Sequence, residues 1–480
     1  MSKIKRLAGE TAIYGLGSIL PRVINFVLIL PHTSVFHPAE YGVITDVYAW
    51  VAFLNVLYTF GMETAFFRFA TKEGANPNTV FNTAQTAVTL ITLALSTFFI
   101  VFAGPLAAEM DIPDHPDYIV WLTCIVAIDA LVAIPFARLR LEKKATRFAL
   151  FRIINVLVIV VLNFYFLKVD YDPNIGVAYV FLINLLANAL YILFFIPVFI
   201  RWRPAFEKGL FYAMLVYAFP VMLTGLAGTT NEMFSRITLR EWLPENFYPG
   251  RSSSYALGVF GANYKFAVFM NLVIQAFRFA AEPFFFSNAR EKNSRHLFAM
   301  VNHYFVVTCC ILLLAIGVNL DVLKIFLRSE AYWEGLPVVP ILLTAYLFLG
   351  IYYNLSVWFK LTDRTYYGTI ISLGGAAVTI IANYVLIPVA GYVGSSWAAL
   401  ICYFSVAAAC YLTGKRFYPI PYRVGTDLAY IVLTVLLVYG VNALPFEGVA
   451  AFVVHNVIVL AVAGLVFLGE RKGLKEAVNL

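Results

Sequence analysis

At 480 residues, 61% hydrophobic and only 13% charged, the chain has too little polar surface to cover a water-soluble domain, which runs nearer a quarter charged. Its mean hydropathy is +0.82 and its formal net charge +7. Apolar runs recur from end to end without a polar gap that would hold a soluble domain, which excludes a water-soluble enzyme and predicts an all-α polytopic membrane protein.

The chain opens on MSKIKRLAGE, a basic stretch leading straight into an apolar run at 11–31. No small-residue cleavage site follows, so the first helix is expected to be retained as a signal anchor. Further apolar windows, bounded by charges, glycines and prolines, follow at 42–66, 79–103, 118–136, 149–167 and 175–199. They continue at 210–238, 255–286, 297–318, 334–358, 367–388 and 393–413, and end at 425–443 and 449–468. This pattern predicts fourteen transmembrane helices. Residues 1–208 form an N-lobe of helices 1–6, 209–416 a C-lobe of helices 7–12, and 417–480 two appended helices and a cytoplasmic tail.

Orientation follows from lysine and arginine. With the N-terminus inside, 25 of the 34 basic residues fall in inner connections, against five in outer ones: Lys168, Arg240, Arg251, Lys324 and Arg328. Basic residues are retained in the cytoplasm, so both termini are expected there, in the inner membrane of a bacterium. The outer loops are acidic, as in AEMDIPDHPDY (108–118) and KVDYDPN (168–174). The pI near 9.0 therefore reflects topology and implies no nucleic-acid partner.

Four basic residues remain within spans, Arg22, Arg236, Lys265 and Arg278, together with the acids Asp46, Glu63, Asp129, Glu232 and Glu282. A charge near the bilayer centre costs about 2.5–3.5 kcal/mol on insertion scales, so each is a candidate functional residue. Helical spacing groups them. Thr11, Ser18, Arg22 and Asn25 share a face of helix 1, and Asn271, Gln275, Arg278 and Glu282 form a stripe about 60° wide on helix 8. A cationic wall rich in hydrogen-bonding groups suits a phosphate-bearing ligand. In helix 7, Glu232 and Arg236 are spaced to pair. Glu63 and Glu282 lie near the inner ends of their helices, where a long side chain reaches the interface.

A shift of 219 residues lays 41–70 on 260–289 without gaps. Both copies end in E-x-x-F-F-x-x-A, with Glu63, Phe66, Phe67 and Ala70 against Glu282, Phe285, Phe286 and Ala289. Each copy is the second helix of its lobe, and each preceding helix carries an internal proline, Pro21 or Pro220. Interrupted helices at matching positions in two halves point to a substrate path. Asp46 and Lys265 occupy equivalent repeat positions with opposite charge and are candidates for a gate pair between the lobes.

The remaining polar residues read as structural. Asp129, Asn184 and Asn188 are expected to hydrogen-bond between helices. His303 and His455 are isolated in the sequence, the five cysteines form no C-x-x-C pair, and no metal site is expected. Among the many aromatics, Tyr14, Tyr264 and Tyr352 are candidates for stacking on sugar rings.

The segments AEYGVITDVYAW (39–50), GMETAFFRF (61–69), ALGVFGANYKFA (256–267) and PRVINF (21–26) resemble the Wzx-like oligosaccharide flippases. These form the polysaccharide transport branch of the MOP superfamily, which also holds MATE exporters and the lipid II flippase. One departure is PHTSVF (31–36), where many relatives place a basic residue. The resemblance implies fourteen helices in two lobes, alternating access, and a cavity role for Arg22. It implies a cargo of undecaprenyl-diphosphate-linked oligosaccharide, such as an O-antigen repeat unit of lipopolysaccharide, with polymerase and chain-length proteins as downstream partners. Moving two negative charges outward gains about 4.6 kcal/mol per 100 mV. No Walker motif occurs in any loop, no cofactor is expected, and proton or sodium coupling is left open. The alternatives are a MATE-type drug or cation antiporter, a lipid II flippase, and, in another class, a membrane glycan polymerase or ligase. An antiporter for cations would want acids at the cavity centre, and an enzyme would need longer loops than REWLPENFYPGRSSS (240–254).

Overall fold

The computed structural model describes residues 17, 19–204, 207–289, 291 and 293–478. Among them the chain is helical, with no β-strand. A shorter apolar helix, α1 (Ile19–Val35), comes first. It is followed by α2 (Pro38–Ala70), α3 (Pro77–Val101), α4 (Pro116–Leu141), α5 (Ala145–Lys168) and α6 (Ala178–Arg201). Then come α7 (Lys208–Trp242), α8 (Ser253–Asn288), α9 (Ser294–Val318) and α10 (Val338–Leu361).

The next helical stretch, Tyr366–Phe417, has 52 residues. At a rise of about 1.5 Å per residue it would run about 78 Å, more than twice a hydrocarbon core of about 30 Å. It is two helices, α11 (366–390) and α12 (392–417), joined at Gly391, whose φ of 57° and ψ of −134° are non-helical. A side chain there would also strike the Tyr248 hydroxyl, 2.2 Å from an added Cβ, so only glycine fits. With α13 (Val424–Asn442) and α14 (Gly448–Arg471) the described residues hold fourteen apolar helices, as the sequence predicts.

Local chemistry explains the helix ends. The Asn76 side chain accepts the Asn78 N–H at 3.0 Å just before α3, and Pro77 fills the first helical position, where its missing N–H is harmless. Ser252 caps α8 by accepting from the Tyr255 N–H at 3.1 Å. Arg138 and Arg140 occupy the last turn of α4 and Arg201 that of α6, where cations complement the helix dipole.

The chain forms two compact units. The first comprises the residues up to Phe36 together with Val43–Met233, and the second His37–Gly42 with Phe234 onward. The division between the units falls inside α7, after Met233, and the longer part of that helix packs in the first unit, with Gly225 facing Val56 of α2. The start of α2 belongs to the second unit because it crosses the start of α8 at backbone contact. A Cβ on Gly42 would lie 1.9 Å from the Ser254 carbonyl oxygen, and one on Gly258 1.8 Å from that of Pro38. Glycine on both helices is what permits the crossing.

Inside the first unit, Phe136 of α4 packs edge-on against Phe148 of α5 and Tyr191 and Phe195 of α6, with ring centroids 4.9–5.6 Å apart. Lipid offers no hydrophobic drive between helices, so such packing and interhelical hydrogen bonds hold them. Examples are His32 of α1 with Asn163 of α5 at 2.8 Å, and Gln85 of α3 donating to the Leu131 carbonyl of α4 at 3.0 Å. In the second unit Trp358 of α10 is fully buried and donates to the Cys410 carbonyl of α12 at 3.2 Å.

Candidate functional site

In the first unit Arg22 and Asn25 are exposed on α1, and Arg22 forms no ion pair or hydrogen bond with another described residue. Thr11, Tyr14 and Ser18 lie outside the described residues. The helix is interrupted at Val27–Leu28, where the Val27 and Leu28 amides reach back three residues, to the carbonyls of Ile24 (3.0 Å) and Asn25 (3.2 Å). That break lies six residues past Pro21. The matching interruption expected in the second half is absent, since α7 is helical straight through Pro220. Helices absorb a proline when neighbouring groups re-satisfy the freed carbonyls, and the Thr224 hydroxyl donates to the Pro220 carbonyl at 2.9 Å.

The repeat motif resolves into matched structures. Glu63 pairs with Arg140 of α4, and Glu282 pairs with Lys360 of α10. Lys360 sits one residue beyond the position that the 219-residue shift assigns to Arg140. Phe66 and Phe285 are both buried, and each packs edge-on against a phenylalanine of the next span, Phe81 of α3 and Phe298 of α9. Each glutamate thus ties the C-terminal end of the second helix to the fourth within its own unit. Glu63 and Glu282, candidates for a gate or an ion pair, are both found in ion pairs with a base of their own unit. The copies differ in backbone, because α2 breaks at Phe60–Gly61, with φ of 48° and 69°, while α8 runs on through Pro283.

Along α8 the predicted stripe holds one internal hydrogen bond, and its two charged members reach groups of α10. Gln275 donates to Asn271 at 3.1 Å, and the Arg278 guanidinium lies 3.9 Å from the Tyr353 ring centre. Arg278, Glu282, Tyr353, Asn354 and Lys360 line a recess of about 310 Å³ including its open mouth. Two cations over one carboxylate leave this recess with a positive balance. Arg236 of α7 rests 4.2 Å from the ring centre of Tyr264, whose hydroxyl bonds that of Tyr346. Tyr264 and Tyr352 are buried, which removes both as stacking platforms for a sugar. Asp46 is buried in the first unit. Lys265 is half-buried in the second, with its ammonium 5.6 Å from the Tyr41 ring centre. Glu232 is half-buried on α7, one residue before the unit boundary.

Two further polar clusters join helices, and in one of them Asp129 and Asn188 bond between helices as expected, while Asn184 donates to the Val180 carbonyl of its own helix. Asn188 of α6 donates to Asp129 of α4 at 3.0 Å and accepts from Asn155 of α5 at 3.1 Å, joining three helices. His303 is not isolated: its Nδ1 lies 2.5 Å from Asp427 of α13 and its Nε2 3.3 Å from Glu470 of α14. The carboxylate in the first turn of an otherwise apolar span was the available signal, but its partner lies 124 residues away. All five cysteines are free, and among the described residues no cluster could hold a metal ion.

A polysaccharide biosynthesis protein family model matches residues 7–288. No curated protein sequence matches significantly. Among solved structures, the lipid II flippase MurJ in an inward closed conformation aligns with a TM-score of 0.73 at 14% identity, covering 96% of this chain and 100% of that one. An inward-facing multidrug resistance MATE transporter of the MOP superfamily aligns at 0.62 and 12% identity, covering 85% and 96%. The MATE multidrug transporter DinF-BH in complex with R6G aligns at 0.57 and 17%, covering 92% and 96%. The chain shares the fold of these structures, and with its family model spanning more than half its length it belongs to the polysaccharide biosynthesis protein family.

Proposed function

We propose that this protein carries an undecaprenyl-diphosphate-linked oligosaccharide, an O-antigen-type repeat unit, from the cytoplasmic to the outer leaflet of a bacterial inner membrane by alternating access. Both termini lie in the cytoplasm in this reading, as the basic inner loops require. One observation carries it: the exposed Arg22 guanidinium on an apolar helix, with no acidic partner among the described residues. A lone cation at that depth is tolerated where water reaches it and is useful where an anion passes. A diphosphate brings two negative charges that bare hydrocarbon would reject, and arginine's planar fork replaces part of their water shell. Asn25 on the same helix, and Ser18 by the sequence spacing, supply neutral hydrogen bonds. Arg236, Asn271, Gln275 and Arg278 form a second polar wall for the sugar and phosphate. Asp46 and Lys265, of opposite charge at equivalent repeat positions, act as a gate pair, and Glu232 is spaced to pair with Arg236. The flipped product is the substrate of a polymerase and its chain-length partner.

The likeness in fold to a lipid II flippase favours a second cargo of the same class, lipid II itself. Proteoliposomes loaded with labelled lipid-linked oligosaccharide, lipid II or a cationic dye separate the readings. The proposal requires the labelled oligosaccharide lipid to become accessible to an external modifying enzyme faster than the other two are moved. Transport of the dye alone would refute it.

A further inference from the structure

Within the second unit, the short linker YPIPYR (418–423) joins α12 to α13, yet the two helices pack on different neighbours. α12 packs on α10, with Phe404 edge-on to Phe348 at 5.1 Å and Tyr403 near Tyr346 at 6.0 Å between ring centroids. α13 packs on α9. Diverging from their linker, they leave a cleft of about 630 Å³ including its open mouth.

The cleft is apolar along its length. Ile351 and Leu355 of α10, Phe404 and Ala407 of α12, and Leu428 and Ile431 of α13 line it. From Phe404 to Tyr411 it follows α12 for about 10 Å, at about 1.5 Å per residue. Phe404 and Leu428 are 47% and 38% exposed, so the cleft opens on the face that meets lipid. The carboxylate among its described lining residues, Asp427, is already engaged: it accepts from Asn302 at 3.2 Å and lies 2.5 Å from His303 Nδ1.

One end of the cleft is basic. There it adjoins a second recess, of about 220 Å³ including its mouth, with which it shares Leu355, Tyr411 and Tyr422 as walls. Lys415 lines that recess, and Arg423 stands between two lining residues of the cleft, Tyr422 and Val424. Both cations are exposed, as are neighbouring Arg416 and Arg295 of α9, whose guanidinium lies 4.7 Å from the Tyr418 ring centre. An apolar slot that ends at several cations matches a molecule with a hydrocarbon chain and an anionic head. A soluble anion would leave the slot unfilled, and a zwitterionic lipid would bring a positive group to cations that already repel it.

We propose that this cleft binds one anionic diacyl phospholipid, with an acyl chain between α12 and α13 and the phosphate at Lys415 and Arg423. In the orientation proposed above the basic end faces the inner leaflet, where anionic lipid gives the surface its negative potential. The occupant bridges α10, α12 and α13 and closes the gap that their packing leaves. The inference rests on that orientation alone and is independent of cargo.

The test is native mass spectrometry of the full-length protein released from micelles containing phosphatidylglycerol, phosphatidylcholine of the same acyl chains, or undecaprenyl phosphate. Wild type is expected to retain one phosphatidylglycerol, preferred over phosphatidylcholine by about 30-fold, the contribution of two cations at a membrane surface. K415E/R423E should lose that preference. K143E/R147E, the same charge change at exposed positions in the first unit, should keep it. A408F, which fills the slot from α12, should lower retention of the lipid. Equal retention of the two phospholipids by wild type overturns the proposal, as does a preference that survives K415E/R423E or vanishes equally in K143E/R147E. Undecaprenyl phosphate displacing phosphatidylglycerol would assign the cleft to the cargo's tail and overturn it too. The charge variants lie at exposed positions, so they keep the test decisive if A408F fails to fold.

Discussion

Replacing Gly258 with alanine tests the crossing that assigns the start of α2 to the second unit. The added Cβ would sit 1.8 Å from the Pro38 carbonyl oxygen and 2.9 Å from the Gly42 nitrogen. Ordinary contact begins at 3.4 Å, so the two helices must part by about 1.6 Å, and backbone atoms cannot swing aside as a side chain would. Overpacking of this kind costs about 1–3 kcal/mol, and the rigid obstacle puts Gly258 at the upper end. Alanine's better helix propensity returns up to about 1 kcal/mol, leaving a net loss of about 1–2 kcal/mol. The control is G374A on α11, where nothing lies within 4 Å of the new Cβ and only the propensity gain remains. Apparent melting temperatures of the purified variants, followed by fluorescence-detected size exclusion after heating, should rank G258A below wild type and G374A level with it or above. If G258A melts no earlier than G374A, the close crossing does not exist.

Transport assays test the charged residues. R22A is expected to lose about 10- to 150-fold in transport of the lipid-linked oligosaccharide, the value of one or two charge-assisted hydrogen bonds, with expression unchanged. Normal complementation by R22A removes the residue from the pathway. R22K, which keeps the charge without the fork, should fall between the two. The D46K/K265D exchange should retain more activity than either single change, and a double variant no better than the singles eliminates the gate pair. E63Q and E282Q should each lower stability by at most about 1 kcal/mol, because the carboxylates are 39% and 45% exposed and water screens the pairs. A melting loss well beyond that for either would show that these ties carry more than surface attraction.

Hydropathy and helical period are local properties, and what depends on them was legible in the residues. Fourteen apolar windows correspond to the observed helices, even across Tyr366–Phe417, where Gly391 and Pro388 mark the break within an unbroken apolar pattern. The E-x-x-F-F-x-x-A repeat was readable as a pattern, and its outcome is physical: two glutamate–base ties and two edge-on phenylalanine pairs. The polar stripe of α8 was readable for the same reason, since spacing alone puts Asn271, Gln275, Arg278 and Glu282 on one face.

What a residue meets across a helix–helix interface is not encoded by its neighbours in the chain. Pro220 looked like an interruption, yet α7 passes through it. Glu63 and Glu282 looked like side chains reaching the interface, yet each is held by a base that only the fold brings near. His303 looked solitary until α13 and α14 delivered two carboxylates from 124 and 167 positions away. The sequence by itself determined which segments are helical and apolar enough to span, because insertion into lipid is judged segment by segment. Only the tertiary structure decided which part of α7 and which turn of α2 join which unit, because that depends on how helices rotate and how closely their backbones approach.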